Sequence, residues 1–499
     1  MVRWKSSFSI QFLRGFPPDV LSRNGYKRLE EDDDHDEALP SFLSSHSPSI
    51  LRRRSASVWG MIAFSLILLW CICAFLGPSG ASPSKFFPVT PKIQFPGHEK
   101  HTWAMYSPYF PAAEYKNSPS QCKVNQVNII YRHGARFPTS GAGERILSAV
   151  QKLQNATLFR DVRLHFLRHY TYDLGVADLI PFGAAQSYDS GQEAFLRYKD
   201  VIGSSIPFVR ASSAARVVDT ATNWTSGFFH ASGGSSAPTL NLILQETLND
   251  TLDDNMCPNA GSGDEQTDIW QAIYAVSAAD RLNKAAPGAN LTVADVTNLI
   301  SLCAFDTLAK EEPSPFCDLF DSSDFDGFEY YGDLNKYYGT GYGQDLGPVQ
   351  GVGYINELIA RLTDSPVRDN TQTNRTLDSD PSTFPLGRAM YADFSHDNQM
   401  IAIYSAIGLF RQKADLDPMQ PDSHRTWVVS RLVPFSGRLV TERLDCNGET
   451  FVRMLVDDAL QDLNFCGAND DGLCTLDAFV ASQGYATNDG AGDFERCFT

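Results

Sequence analysis

Short runs of β-branched and apolar residues mark three strands. Residues 127–130 (Val-Asn-Ile-Ile) predict a buried strand, 206–212 (Ile-Pro-Phe-Val-Arg-Ala-Ser) a second and 390–394 (Met-Tyr-Ala-Asp-Phe) a third. Apolar positions recur at helical spacing over 144–153, 159–167, a stretch running through Tyr198, 215–229, 355–362 and 399–410. Between these, 249–364 mixes helical segments with acidic loops, 321–326 being markedly acidic. Six glycines fall within 339–353, but no strand precedes them and no G-x-x-x-x-G-K-[ST] is present, so the stretch is a loop rather than a phosphate cradle.

The first part of the chain is patterned differently. Residues 1–57 are rich in Ser, Arg and acidic residues without sustained apolar periodicity and predict a disordered tail, in which 30–37 is a solvated charge block. Residues 58–77 carry no charge over twenty positions, enough helix to cross a hydrocarbon core of about 30 Å. Arg52, Arg53 and Arg54 precede this run, and only Lys85 and Lys92 follow nearby. The positive-inside rule then predicts a signal anchor with a cytoplasmic N-terminus and a lumenal or extracellular remainder. Cleavage near Ala81, giving a secreted product, is the alternative, since Ser79-Gly80-Ala81 is a run of small residues. Residues 78–116, with prolines at 83, 88, 91, 96, 108 and 111, read as a stem or extended lead-in, and 117–499 as the folded domain. His98 and His101 do not have zinc-helix spacing and read as incidental.

Composition adds class and compartment. A chain of 499 residues with 43% hydrophobic and 12% aromatic content can bury a large core. Its net charge of −18, with no basic stripe, excludes a nucleic-acid partner. Residues 1–57 hold nine Lys/Arg and eight Asp/Glu, leaving 32 basic against 51 acidic residues, a net of −19, beyond the uncharged span. Of ten cysteines, Cys71 and Cys73 lie in the apolar run and eight follow it, as do sequons at Asn155, Asn223, Asn249, Asn290 and Asn374. Together they predict an oxidising, glycosylating compartment.

The chemistry concentrates at three strand ends. Tyr131-Arg132-His133-Gly134-Ala135-Arg136-Phe137-Pro138 directly follows the first strand, and in open α/β sheets ligands bind outside the carboxyl ends of strands. Two guanidiniums can fork onto phosphate oxygens while a neutral imidazole nitrogen attacks phosphorus, and Gly134 lets the backbone approach the anion. Arg210 closes the second strand as Arg132 closes the first. Arg216, one turn into the next helix, reads as structural. The third strand leads into Ser395-His396-Asp397-Asn398, in which Ser395 or Asp397 would cap the following helix. A phosphate ester also needs a proton donor opposite the nucleophile, and Asp397 is the candidate.

With these motifs the sequence resembles the histidine acid phosphatases, and among them the fungal phytases, from about residue 117 to the C-terminus. The resemblance implies an α/β fold of the phosphoglycerate-mutase type, with a mostly helical domain inserted at roughly 140–205 and 225–380. It implies His133 as a nucleophile that becomes phosphohistidine, and Arg132, Arg136 and Arg210 as phosphate ligands. His396 would bind phosphate oxygens and Asp397 protonate the leaving oxygen, with no metal or cofactor required. The eight downstream cysteines allow 105 pairings. The resemblance selects Cys122–Cys446, Cys257–Cys497, Cys303–Cys317 and Cys466–Cys474.

Phytate at acid pH is the expected substrate. Where the family commonly bears a lysine pair after the first motif this chain has Gly143-Glu144-Arg145, and a later pair is Asn335-Lys336, so a broad acid phosphatase is the alternative. An inactive membrane-tethered binding protein on the same scaffold is a rival of another class. A phosphoglycerate mutase would need no span, sequons or disulfides. A domain of net −19 repels an anionic substrate at neutral pH. The expected kcat/KM of the purified catalytic part therefore peaks on the acid side, and a value still rising from about pH 5 to 8 would contradict this reading.

Overall fold

The three strands expected from the sequence lie side by side in the middle of one sheet. In this computed structural model, which describes residues 86–93 and 101–499, the strands are β1 (Cys122–Arg132), β2 (Phe208–Ser212), β3 (Leu240–Leu244), β4 (Met390–Ser395), β5 (Arg438–Cys446), β6 (Glu449–Val456), β7 (Ala459–Leu460) and β8 (Cys474–Thr475). Their order is β3-β2-β4-β1-β5-β6-β7, with β8 on β6. The first four run parallel, and β5 and β6 continue the sheet antiparallel. The carboxyl ends of β1, β2 and β4 therefore open on one edge. The expected tail and the 58–77 span lie outside the described residues. Among those described, no helix is long and apolar enough to cross a membrane.

The helices used below are α1 (Ser140–Gln154), α2 (Pro181–Ile202), α3 (Ala215–Ala231), α4 (Asp264–Tyr274), α5 (Val276–Ala285), α6 (Val293–Lys310), α7 (Ser322–Gly339), α8 (Val352–Thr363) and α9 (Asp397–Ile407). Val127, Ile129 and Tyr131 of β1 alternate onto one face, in a core with Tyr198 of α2 and Trp224 and Phe228 of α3. Ile130 points the other way, into a second core shared by α8, α9 and the helical block. β1 is thus apolar on both faces near its end, as a strand covered by helices must be. α2 lies within the stretch expected to be inserted, yet it covers the sheet. α6 and α7 start on capping boxes, Thr292 with Asp295 and Asp321 with Asp324. The 159–167 stretch forms 3-10 helix over Val162–Arg168 rather than α-helix.

The expected stem is not a free stalk where it is described. Trp103 and Ala104 are buried, the Ala104 N–H donates to Glu329 at 2.7 Å, and the 86–93 piece docks on α2 through Val89 and Thr90 N–H groups donating to Asp189. Apolar side chains at Trp103, Met105 and Tyr106 give this Pro-rich segment something to bury, which proline content alone did not reveal. The four disulfides pair as the resemblance implies. Cys122 and Cys446 are register partners across β1 and β5, 324 residues apart in the chain.

Arg210 does not reach the sheet's open edge. β2 runs on to Ser212, and the side-chain alternation turns Arg210 onto the sheet face beneath α8. There it pairs with Asp393 of β4 (Nε to Oδ1, 2.8 Å) and Glu357 of α8 (Nη2 to Oε2, 2.6 Å). Arg361 completes the group on Asp393 at 2.6 Å, and burial together with Glu357 pushes Asp378 up to about 8. All of Arg210's nitrogens are thereby committed to carboxylates, so the phosphate-ligand role expected of it does not stand. Removing one partner of such a network leaves uncompensated buried charge. Arg210→Met should cost about 3–5 kcal/mol of stability by chemical denaturation while leaving kcat/KM per folded molecule within about twofold.

Candidate active site

Each side chain at the open edge is placed by a backbone feature of its own. His133 follows β1, with its N–H donating to the Ser395 carbonyl of β4 at 3.0 Å. Its ring Nδ1 lies 2.9 Å from the Gly134 carbonyl oxygen. A carbonyl only accepts, so Nδ1 carries the proton and Nε2 holds the lone pair of a nucleophile. Gly134 is required for a reason other than the one expected. A Cβ there would stand 2.5 Å from the Gly183 carbonyl oxygen at the start of α2, so the close approach is to backbone rather than to an anion.

Arg132 ends β1 fully buried. Its Nη1 donates to the Met105 and Val433 carbonyls, its guanidinium stacks 4.5 Å from the Phe435 ring centroid, and Nη2 lies 3.2 Å from Asp397 Oδ2. Arg136 is also buried and donates to the Phe137 carbonyl at 2.9 Å. The Tyr106 hydroxyl is pushed up by burial and by the charge of Asp397, against the charges of Arg136, Arg145 and Arg132, which lower it.

From β4 come His396 and Asp397. His396 occupies the N-cap of α9 without a side-chain cap. Neither expected capping residue serves, because Ser395 Oγ donates to the Leu252 carbonyl at 2.6 Å and Asp397 turns toward cations. Lys336 of α7 reaches Asp397 Oδ2 at 2.8 Å and Asn398 Oδ1 at 2.6 Å. The His396 ring lies 5.7 Å from the His133 ring, edge to face. Its Nε2 is 3.1 Å from Glu246 Oε1 and 3.9 Å from Asp253 Oδ1. Burial lowers the His396 pKa, but the Glu246 hydrogen bond and the two carboxylates outweigh burial and Arg216 and raise it to about 9. Burial raises Glu246, yet His396, Ser212 and the Ala214 N–H hold it down at about 2. Among the described residues, Glu246, Asp253 and His396 offer ligand atoms within 4.8 Å of one another. The Glu246–His396 hydrogen bond, with the Arg216 guanidinium alongside, describes an acid–base cluster.

Arg216, expected from its place in the helix to be structural, is the arginine that arrives. Arg216, in the first turn of α3, is buried and sets Nη2 3.3 Å from His396 Nδ1. The usable signal was the strand-turn-helix pattern: once β2 ends at Ser212, the first helical turn, not the strand, faces the edge. The six expected residues thus divide. His133, Arg132, Arg136, His396 and Asp397 share the edge, and Arg216 joins them in place of Arg210.

The family model described as "Histidine phosphatase superfamily (branch 2)" matches residues 123–457. The chain is 38% identical over 424 residues to Phytase A of Aspergillus oryzae, covering 80% of this chain and 90% of that protein. It is 41% identical over 424 residues, with the same coverages, to Phytase A of Emericella nidulans. The fold resembles the crystal structure of the phytase from D. castellii (TM-score 0.67, 22% identity, 78% of this chain and 85% of that one). It also resembles the Bifidobacterium longum multiple inositol polyphosphate phosphatase in complex with phosphate (TM-score 0.59, 14% identity, 78% and 98%).

A guanidinium that holds developing charge is worth about two to three orders of magnitude in rate. Arg216→Ala should therefore lower kcat by about 100-fold or more with the fold intact by circular dichroism, and near-normal turnover would remove Arg216 from the site.

Proposed function

The chain belongs to the histidine phosphatase superfamily, branch 2, and on that footing we propose that it hydrolyses phosphomonoesters, phytate among them, through a phosphohistidine on His133. The observation that carries the mechanism is the Nδ1–H of His133 given to the Gly134 carbonyl, which commits Nε2 to attack. Arg132, Arg136, Arg216 and His396 hold the phosphoryl oxygens and offset their charge. The Nε2 lone pair forms the bond to phosphorus as the ester oxygen departs, taking a proton from Asp397. Water, giving its proton to Asp397, then displaces His133 and releases inorganic phosphate.

Phytate carries six phosphates, and Arg145 and Lys336 are the basic residues near the mouth available to the outer ones. Glu144 beside Arg145, and Lys336 already bound to Asp397, favour a second reading as a broader acid phosphatase. The helical residues gathered on α1 and α4 to α7 form the inserted unit and the sheet with α2, α3, α8 and α9 the catalytic one. The protein works in an oxidising compartment: four disulfides close, and the sequon residues Asn155, Asn249 and Asn290 are exposed. Residues 58–77 tether it to a membrane with the catalytic part lumenal or extracellular, or cleavage near Ala81 releases it; this rests on sequence alone. Purified protein should turn over phytate with kcat/KM at least about tenfold above p-nitrophenyl phosphate, and His133→Ala should abolish both. Equal values on the two substrates would favour the broad phosphatase, and turnover by His133→Ala would overturn the mechanism.

A further inference from the structure

Behind His396 lies a carboxylate that the two displacements do not use. Glu246, in the loop after β3, accepts three hydrogen bonds: from His396 Nε2 at 3.1 Å, Ser212 Oγ at 2.7 Å and the Ala214 N–H at 2.9 Å. Ser212 ends β2, and Ala214 is the N-cap of α3, the helix whose first turn carries Arg216. One carboxylate thus grips both the turn that delivers Arg216 and the imidazole that Arg216 meets. With Nε2 given to Glu246, the opposite nitrogen, Nδ1, is the one set 3.3 Å from Arg216 Nη2.

We propose that Glu246 is a positioning residue, which fixes His396 with Nδ1 turned to Arg216 so that both donate to one phosphoryl oxygen. A protonated Nδ1 and a guanidinium are both donors and do not satisfy each other. An anionic oxygen between them takes a charge-assisted bond from each. This rests on the hydrolase reading above and adds to it the group that holds the cationic imidazole in register.

The surroundings of Glu246 keep it an acceptor. Ser212 Oγ lies 2.7 Å from Glu246 and 2.8 Å from Asp250 Oδ2, yet a hydroxyl has one proton to give. Burial pushes Asp250 up to about 6, so Asp250 carries the second proton on the acid side and donates it to Ser212. Ser212 then donates to Glu246, which stays ionised opposite His396. The groups facing His396 are Glu246, Asp250 and Asp253 from the loop after β3, Arg216 from α3 and His133 after β1. Asp397 follows it in the chain. Only the carboxylates favour the imidazolium. Its protonated form is complete below the ordinary histidine range and is lost as pH rises through about 9.

Glu246→Gln and Glu246→Asp separate this role from a structural one. The expected result for Glu246→Gln is a kcat/KM lowered about 10- to 100-fold, an alkaline limb of the pH profile moved to lower pH, and weaker inhibition by inorganic phosphate. Glu246→Asp should restore part of each. Wild-type kcat/KM with an unmoved limb in folded Glu246→Gln would overturn the proposal. Should Glu246→Gln not fold, histidine NMR titration of the wild-type protein decides: His396 titrating above about pH 8 supports Glu246's role, and titration at the ordinary value near 6.5 refutes it. Folded wild-type protein that cleaves no phosphomonoester would sink the hydrolase reading instead, while the titration would still report on Glu246.

Discussion

The site depends on holding guanidiniums close together without cancelling their charge. Two populations of buried arginine show the difference. Arg210 and Arg361 lie among Asp393 and Glu357, and their charge is neutralised where they stand. Arg136 is anchored through the Phe137 carbonyl, and Arg132 through the Met105 and Val433 carbonyls on Nη1, with Nη2 beside the Asp397 carboxylate. Burial alone does not distinguish them, since both sets are nearly inaccessible. The partners do: carboxylates on every nitrogen make Arg210 part of the core, whereas carbonyl anchors leave more of a guanidinium's field directed at an arriving anion.

That distinction explains how much of the molecule was legible in the sequence. β1, β2 and β4 announce themselves because each holds a short, largely apolar run, as strands covered on both faces do. β1 and β4 also carry the most recognisable motifs at their ends, so His133, Arg132, Arg136, His396 and Asp397 could be named. Arg210 could not be placed, because its fate depends on Asp393 and Glu357, 183 and 147 residues away. An arginine at a strand's last turn of alternation reads the same whether it meets a phosphate or two acids. β5 to β8 and β3 gave no comparable signal: β3 alternates partly buried with exposed positions, β5 ends and β6 begins at partly exposed or exposed positions, and β7 and β8 have two residues each. Gly134 was singled out correctly for its lack of a side chain, but the neighbour that demands it, Gly183, follows only from the docking of α2.

The acidic excess of the domain is put to work close to the anion site. Glu246, hydrogen-bonded to His396 Nε2, and Asp253, 3.9 Å from it, raise the imidazole's affinity for a proton. Carboxylates placed directly among the phosphate-facing donors would repel substrate. Placed one hydrogen bond behind, Glu246 converts a neutral imidazole into a cation, and its own charge is shared with Ser212 and the Ala214 N–H.

The two sides of the cleft meet at Asp397. Its backbone belongs to the start of α9, at the end of the β4 strand, while Lys336, the cation at 2.8 Å from its carboxylate, comes from α7 in the helical block. The same α7 holds the lead-in segment through Glu329, whose carboxylate accepts the Ala104 N–H, and that segment in turn supplies the Met105 carbonyl gripping Arg132. A displacement of α7 would therefore be felt at both partners of the Arg132–Asp397 contact. The carboxylate of Asp397 and the anchoring of Arg132 are thus linked through one helix, by way of Lys336 and Glu329.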